Sequence, residues 1–225
     1  SGSGGGIFVE QDVSGVIVQA STFDNCTSSS TVQVTGGGAI YMGMRNHGLS
    51  IMNSTFSNII AKREGGALFF NQDNSDISVE SSNFSNSRAK YGGALYFYQS
   101  NSNVSVESST FTNCSAQNNG GALSFFQSNS NVSVESSTFS NCSAGQSGGS
   151  IYLFSGNNDF VVESSRFVSN FAGKRDHGFG GAIYADENNK RMALLGGGVE
   201  RRIWLVPRYN LRVHYKVPYE WQGDF

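Results

Sequence analysis

Four glutamates recur in one short phrase. Glu80 lies in VESSNF, Glu107 and Glu135 in two identical copies of VESSTF, and Glu163 in VESSRF, so successive carboxylates are 27 or 28 residues apart. If the copies stack, neighbouring carboxylates come within about 4.8 Å of one another and could collect calcium or meet a basic partner. The alternative is a solvated edge, because exposed like charges at that distance repel by only about 1 kcal/mol in water.

A second set of residues keeps the same step. Tyr41, Phe69, Tyr96, Ser124, Tyr152 and Tyr184 each follow a Gly-Gly-small-aliphatic marker. With Leu95 and Phe97 directed inward, alternation points Tyr96 and Tyr98 outward, and Phe126 and Phe154 continue the row beside them. Exposed aromatic rows stack on sugar rings or dock partner proteins; the competing expectation is that a neighbouring segment covers the row.

Cys26, Cys114 and Cys142 occupy equivalent places. Stacked one repeat apart, Cys114 and Cys142 fall inside the Cα window for a disulfide, although parallel Cβ vectors make closure awkward; the other outcome is a column of buried free thiols. Without a C-x-x-C pair or a nearby His cluster the three do not make a zinc site.

Seven N-x-S/T sequons begin at Asn25, Asn53, Asn83, Asn103, Asn113, Asn131 and Asn141. Their density points to a secreted glycoprotein, against the alternative that Ser-rich and Asn-rich sequence makes sequons by chance. Asn25, Asn58, Asn86, Asn113 and Asn141 could instead form an inward amide ladder. That leaves Asn53, Asn83, Asn103 and Asn131 as sugar carriers, the last two in exposed QSNSN turns.

All these sets need an element that repeats. The markers GGGAI, GGAL, GGAL, GGAL, GGSI and GGAI begin at 36, 65, 92, 120, 148 and 180, and a degenerate GGGI begins at 4. A phenylalanine recurs in step at 23, 56, 84, 111, 139 and 167. Two markers sharing one period indicate a solenoid. Within each unit Val104, Val106, Leu123 and Phe125 alternate with polar or outward residues, which reads as about three short strands separated by Gly, Asn and Ser turns. The expected fold is all-β, a parallel β-helix of about six or seven coils. Burying five large apolar side chains per coil contributes roughly 7–15 kcal/mol, whereas ordering 28 backbones costs roughly 28–56 kcal/mol. No coil stands alone; bonds between coils must make up the difference.

Charged residues are only 14% and the net charge is −2, which argues against a nucleic-acid partner. No apolar run reaches the length of a membrane-spanning helix, and the opening SGSGGGIFVE lacks signal-peptide features. Catalysis on polysaccharides would need carboxylate pairs or calcium beside a basic residue. Residues 91–165 contain no Lys or Arg, and His47, His177 and His214 are scattered. No enzyme is expected, and calcium at the glutamates is the one metal considered.

The paired markers resemble the repeats of chlamydial polymorphic outer-membrane proteins, whose GGAI and FxxN motifs lie on a right-handed parallel β-helix. The resemblance covers about residues 4 to 186. It implies a surface-exposed adhesive or structural stalk and carries over no catalytic residues. The match is incomplete: only Phe167 to Asn170 has the FxxN spacing, the other copies placing Asn one position early and three of them placing Cys26, Cys114 or Cys142 where the family places Asn.

After Asn189 the composition changes. Residues 190–225 hold no Ser, both prolines, both tryptophans and seven of the fifteen Lys and Arg. They read as strands at 203–206 and 211–215 around a turn at 207–210. The expected organisation is a repeat domain at 1–189 and a β-rich cap or docking segment at 190–225. Expected partners are further copies of the chain, or proteins and glycans of a cell surface.

Overall fold

One repeat shows how the chain turns. In the computed structural model, Leu95–Gln99, Ser102–Glu107, Thr110–Thr112 and Ser115–Asn119 are successive strands of one coil. The sequence pattern suggests three strands; the fourth escapes it because SAQNN and RAKY carry little apolar alternation. The structure describes residues 5–29, 31, 36–173, 180–186, 188–199, 204–205 and 211–214. His177 and the 207–210 turn lie outside them.

Two residues join the strands at three of the corners. The first adopts a left-handed backbone, as at Ser100 (φ 54°), Ser108 (φ 48°) and Asn113 (φ 55°). The second, Asn101, Ser109 or Cys114, is turned inward and buried. Asn, Asp and Ser fill most left-handed sites because short polar side chains tolerate that region best after glycine. The VESS phrase is thereby explained: Glu faces out, the first Ser makes the bend, and the second Ser enters the wall.

Each strand then pairs in parallel with its counterpart one coil away. Sheets of eight, eight, seven and six strands run the length of the rod. Phe84, Phe111 and Phe139 are register partners, so residues 27 or 28 apart in sequence are neighbours in space. Rings from Phe23 to Phe167 form one stack with centroids 4.7–4.9 Å apart. Phe70, Phe97 and Phe125 form another at 4.5–4.6 Å. Both spacings are the inter-strand distance itself.

Two polar ladders line the corners of this core. The backbone N–H of each buried Ser donates to the next serine Oγ at 3.1 Å, from Ser54 through Ser82, Ser109 and Ser137 to Ser165. At another corner Asn101 donates its backbone N–H and its Nδ2 to Asn129 Oδ1 (3.0 and 3.1 Å), and Asn129 repeats this toward Asn157 (3.1 and 3.0 Å). Asn46, Asn74 and Asn189 continue the column. The inward amide ladder therefore runs through the first Asn of QSNSN. The expected ladder at Asn25, Asn58, Asn86, Asn113 and Asn141 is corrected: these residues are exposed and have left-handed backbones.

The fourth corner uses the Gly pair. Gly120 has φ +67°, and a methyl on Gly121 would overlap the Gly149 carbonyl oxygen and lie 2.7 Å from Ser143 N and O. Gly121→Ala is expected to cost about 3 kcal/mol, the upper end of ordinary overpacking, because only backbone could yield. Gly156→Ala would meet nothing closer than 3.5 Å and should cost about 1 kcal/mol, for its positive φ alone. Equal urea midpoints for the two variants would refute this account of the Gly pair.

The compositional break at Asn189 is not a structural one. Lys190–Leu195 pairs in register with Asn158–Glu163, Met192 and Leu194 taking the inward places of Phe160 and Val162. Gly198–Val199, Trp204–Leu205 and Leu211–His214 join the third, first and second sheets in turn. The described part of 190–225 thus supplies further strands of the same four-sided coil rather than a separate unit.

Candidate functional site

Tyr41, Phe69, Tyr96, Ser124, Tyr152 and Tyr184 are register partners on the first sheet. They point away from the main core, as alternation predicts, yet they are not an exposed row. Phe69 is 0%, Tyr96 4% and Tyr152 8% accessible. The expectation of an open aromatic column is corrected. At Gly92, whose backbone is left-handed, the chain turns so that Tyr91 at the end of the fourth sheet packs over Tyr96, with 6.0 Å between ring centroids.

The covering residues themselves form a ladder, Glu64, Tyr91, Asn119 and Ser147, linked by parallel pairing. On the column's other flank Tyr98, Phe126 and Phe154 stack at 5.3 and 4.9 Å and remain half-buried. Sequence alternation anticipates this outer row. It does not reveal the ladder, whose members have nothing in common but a place just before a Gly pair.

The aromatic column is broken once. Phe69 contacts Tyr96 at 5.6 Å and Tyr152 contacts Tyr184 at 5.5 Å, but between Tyr96 and Tyr152 stands the small side chain of Ser124. A cavity of about 240 Å³ opens there. Tyr96, Ser124 and Tyr152 lie along the column, Arg63, Glu64, Tyr91 and Asn119 on one wall, and Tyr98, Phe126 and Phe154 on the other.

Glu64 is the chemically unusual member. Its side chain is 6% accessible, Oε1 accepts from Arg63 Nε at 3.2 Å, and Oε2 is buried without a hydrogen-bond partner. Burial pushes its carboxyl above the usual range, against the opposing pull of Arg63 and Lys90. Burial likewise raises the Tyr96 and Tyr152 phenols, so both stay protonated and able to donate.

The other sequence candidates fall elsewhere. Glu80, Glu107, Glu135 and Glu163 are register partners on the solvent side of the second sheet. They form a ladder rather than a cage, and among the described residues no group of three or more His, Cys, Asp or Glu is gathered so as to hold a metal ion. Cys114 and Cys142 are buried free thiols, which corrects the disulfide reading; parallel side chains aim Cys114 Sγ at Phe84 O (3.6 Å) and Cys142 Sγ at Phe111 O (3.5 Å). Asn53, Asn83, Asn103 and Asn131 are all exposed. Among the described residues no helix is long and apolar enough to cross a membrane.

Comparison with known proteins adds one finding to this geometry. A family model described as right handed beta helix region matches residues 5–191. Neither the curated proteins nor the solved structures searched return a match. The matched span ends inside the Lys190–Leu195 strand and takes in the whole aromatic column and its cavity. With its parallel coils in register and that match over most of its length, the chain belongs to the right-handed β-helix family.

Proposed function

We propose that this protein is a structural and adhesive rod that works outside the cell by presenting regular side-chain columns to partners. The observation that carries the reading is that exposed asparagines repeat along the rod in step with the core. Asn113 Nδ2 donates to Asn86 Oδ1 and Asn86 Nδ2 to Asn58 Oδ1 (3.3 and 3.2 Å). Asn131 Nδ2 donates to Asn103 Oδ1 (2.9 Å), and Asn103 Nδ2 to Asp76 Oδ1 (2.8 Å). Right-handed β-helix domains serve both in enzymes and in non-enzymes; exposed asparagine ladders that pass from coil to coil favour a presenting surface. The exposed sequons and the resemblance to chlamydial surface stalks support the same location. Partners in this reading are cell-surface proteins or glycans, or the next copy of the chain in a filament.

The test sets adhesion against turnover. Purified protein applied to cells and to immobilised polysaccharides is expected to be retained without releasing reducing or unsaturated sugars. Sugar release by wild type at catalytic amounts would replace the adhesive reading with a polysaccharide-degrading one.

A further inference from the structure

We infer that the gap at Ser124 is a binding slot for one neutral pyranose ring, with its faces against aromatic rings and its hydroxyls toward Asn119 and Glu64. The inference deepens the adhesive reading, on which it rests for its biological sense but not for its test.

The gap follows from the spacing of the strands. Tyr96 and Tyr152 are register partners of Ser124 on either side, so their backbones stand two strand spacings apart, about 9.6 Å. Elsewhere in this rod one ring fills each step, with centroids 4.5–5.6 Å apart. The column therefore lacks one ring's thickness at Ser124. An incoming ring in that place would gain the stacking contacts that Tyr or Phe supplies in the other coils.

Polar groups then select the kind of ring. Glu64 and Asn119 line the space, and a purely aromatic guest would cut their polar groups off from water, at about 1–3 kcal/mol for each one left unsatisfied. A pyranose has apolar C–H faces and a hydroxylated edge, so it can stack and donate at once. The neutral form is favoured because Arg63 and Glu64, both on the cavity wall, already pair with each other at 3.2 Å, so a uronate would find no unpaired cation there for its carboxylate. At about 240 Å³ the space falls below the roughly 300–1,000 Å³ of drug-sized pockets, which suits a single ring and its substituents.

The closing experiment uses the full chain and ligand-observed saturation-transfer NMR. The probes are methyl glycosides of neutral hexoses and N-acetylhexosamines, a methyl uronate and p-cresol. Wild type is expected to bind at least one neutral glycoside. Ser124→Tyr, which completes the protein's own stack, should abolish that binding while its thermal midpoint holds or rises. Glu64→Gln, which keeps shape but loses the strong acceptor, should weaken it about tenfold. The slot is overturned if no neutral glycoside binds wild type, if p-cresol alone binds, or if folded Ser124→Tyr binds as wild type does. Cell adhesion is scored on the same samples. Adhesion that survives without glycoside binding refutes the slot and leaves the adhesive reading intact; glycoside binding without adhesion does the reverse.

Discussion

Asn129→Ala is expected to lower stability by about 2–6 kcal/mol, far beyond the loss of one small polar side chain. Asn129 Oδ1 accepts both the backbone N–H and the side-chain Nδ2 of Asn101. Removing it strands two buried donors, each costing about 1–3 kcal/mol, and leaves Asn157 Oδ1 without its side-chain donor. Asn131→Ala is the matched control. Asn131 is exposed and gives a single side-chain bond along its own column, so water replaces what is lost and the change should stay within about 0.5 kcal/mol. Urea midpoints measured on both variants check the contrast. Similar shifts would mean that the corner amides do not act as a ladder.

Phe111→Ala is expected to cost about 3–5 kcal/mol, the usual range for emptying a fully buried aromatic site. The ring is 0% accessible and touches Phe84 and Phe139 at 4.9 and 4.8 Å. Collapse cannot refill the hole, because those neighbours are held on rungs set by backbone pairing. In a rod whose coils contact only their neighbours, the loss should also divide cooperativity at that level. The expected result is a lower midpoint with a broadened or split transition. A sharp transition at the wild-type midpoint would show that the ring stack contributes little.

The sequence makes the period legible and hides much of what faces where. Phe111, Val104, Val106 and Leu123 are recognisable as core because they alternate and recur. The inward Asn101 and Ser109 are not, because their types suit turns, and each sits beside a residue that does make the turn. A polar residue that recurs immediately after a left-handed position was the available signal. Tyr96 shows a different difficulty: alternation assigns it the outer face correctly but cannot report that the chain folds back at Gly92 and covers it. Glu64 is harder still, since its neighbours in space, Tyr91 and Asn119, share neither type nor charge with it. Lys190–Leu195 mislead in the other direction. Their composition breaks with the repeats, but parallel pairing uses backbone groups, and the inward places ask only for Met192 and Leu194.

In-register stacking is tested most directly by a distance between labels at the two ends of one column. Thr22 and Arg166 are joined by five register steps through Thr55, Asn83, Thr110 and Thr138, which places their backbones about 24 Å apart. Nitroxides on cysteines introduced at 22 and 166, in a Cys26→Ser background, should give a narrow pulsed-dipolar distribution near that value, widened only by the label arms. A broad distribution centred near the roughly 60–70 Å of a flexible chain of that length would contradict the stacked solenoid.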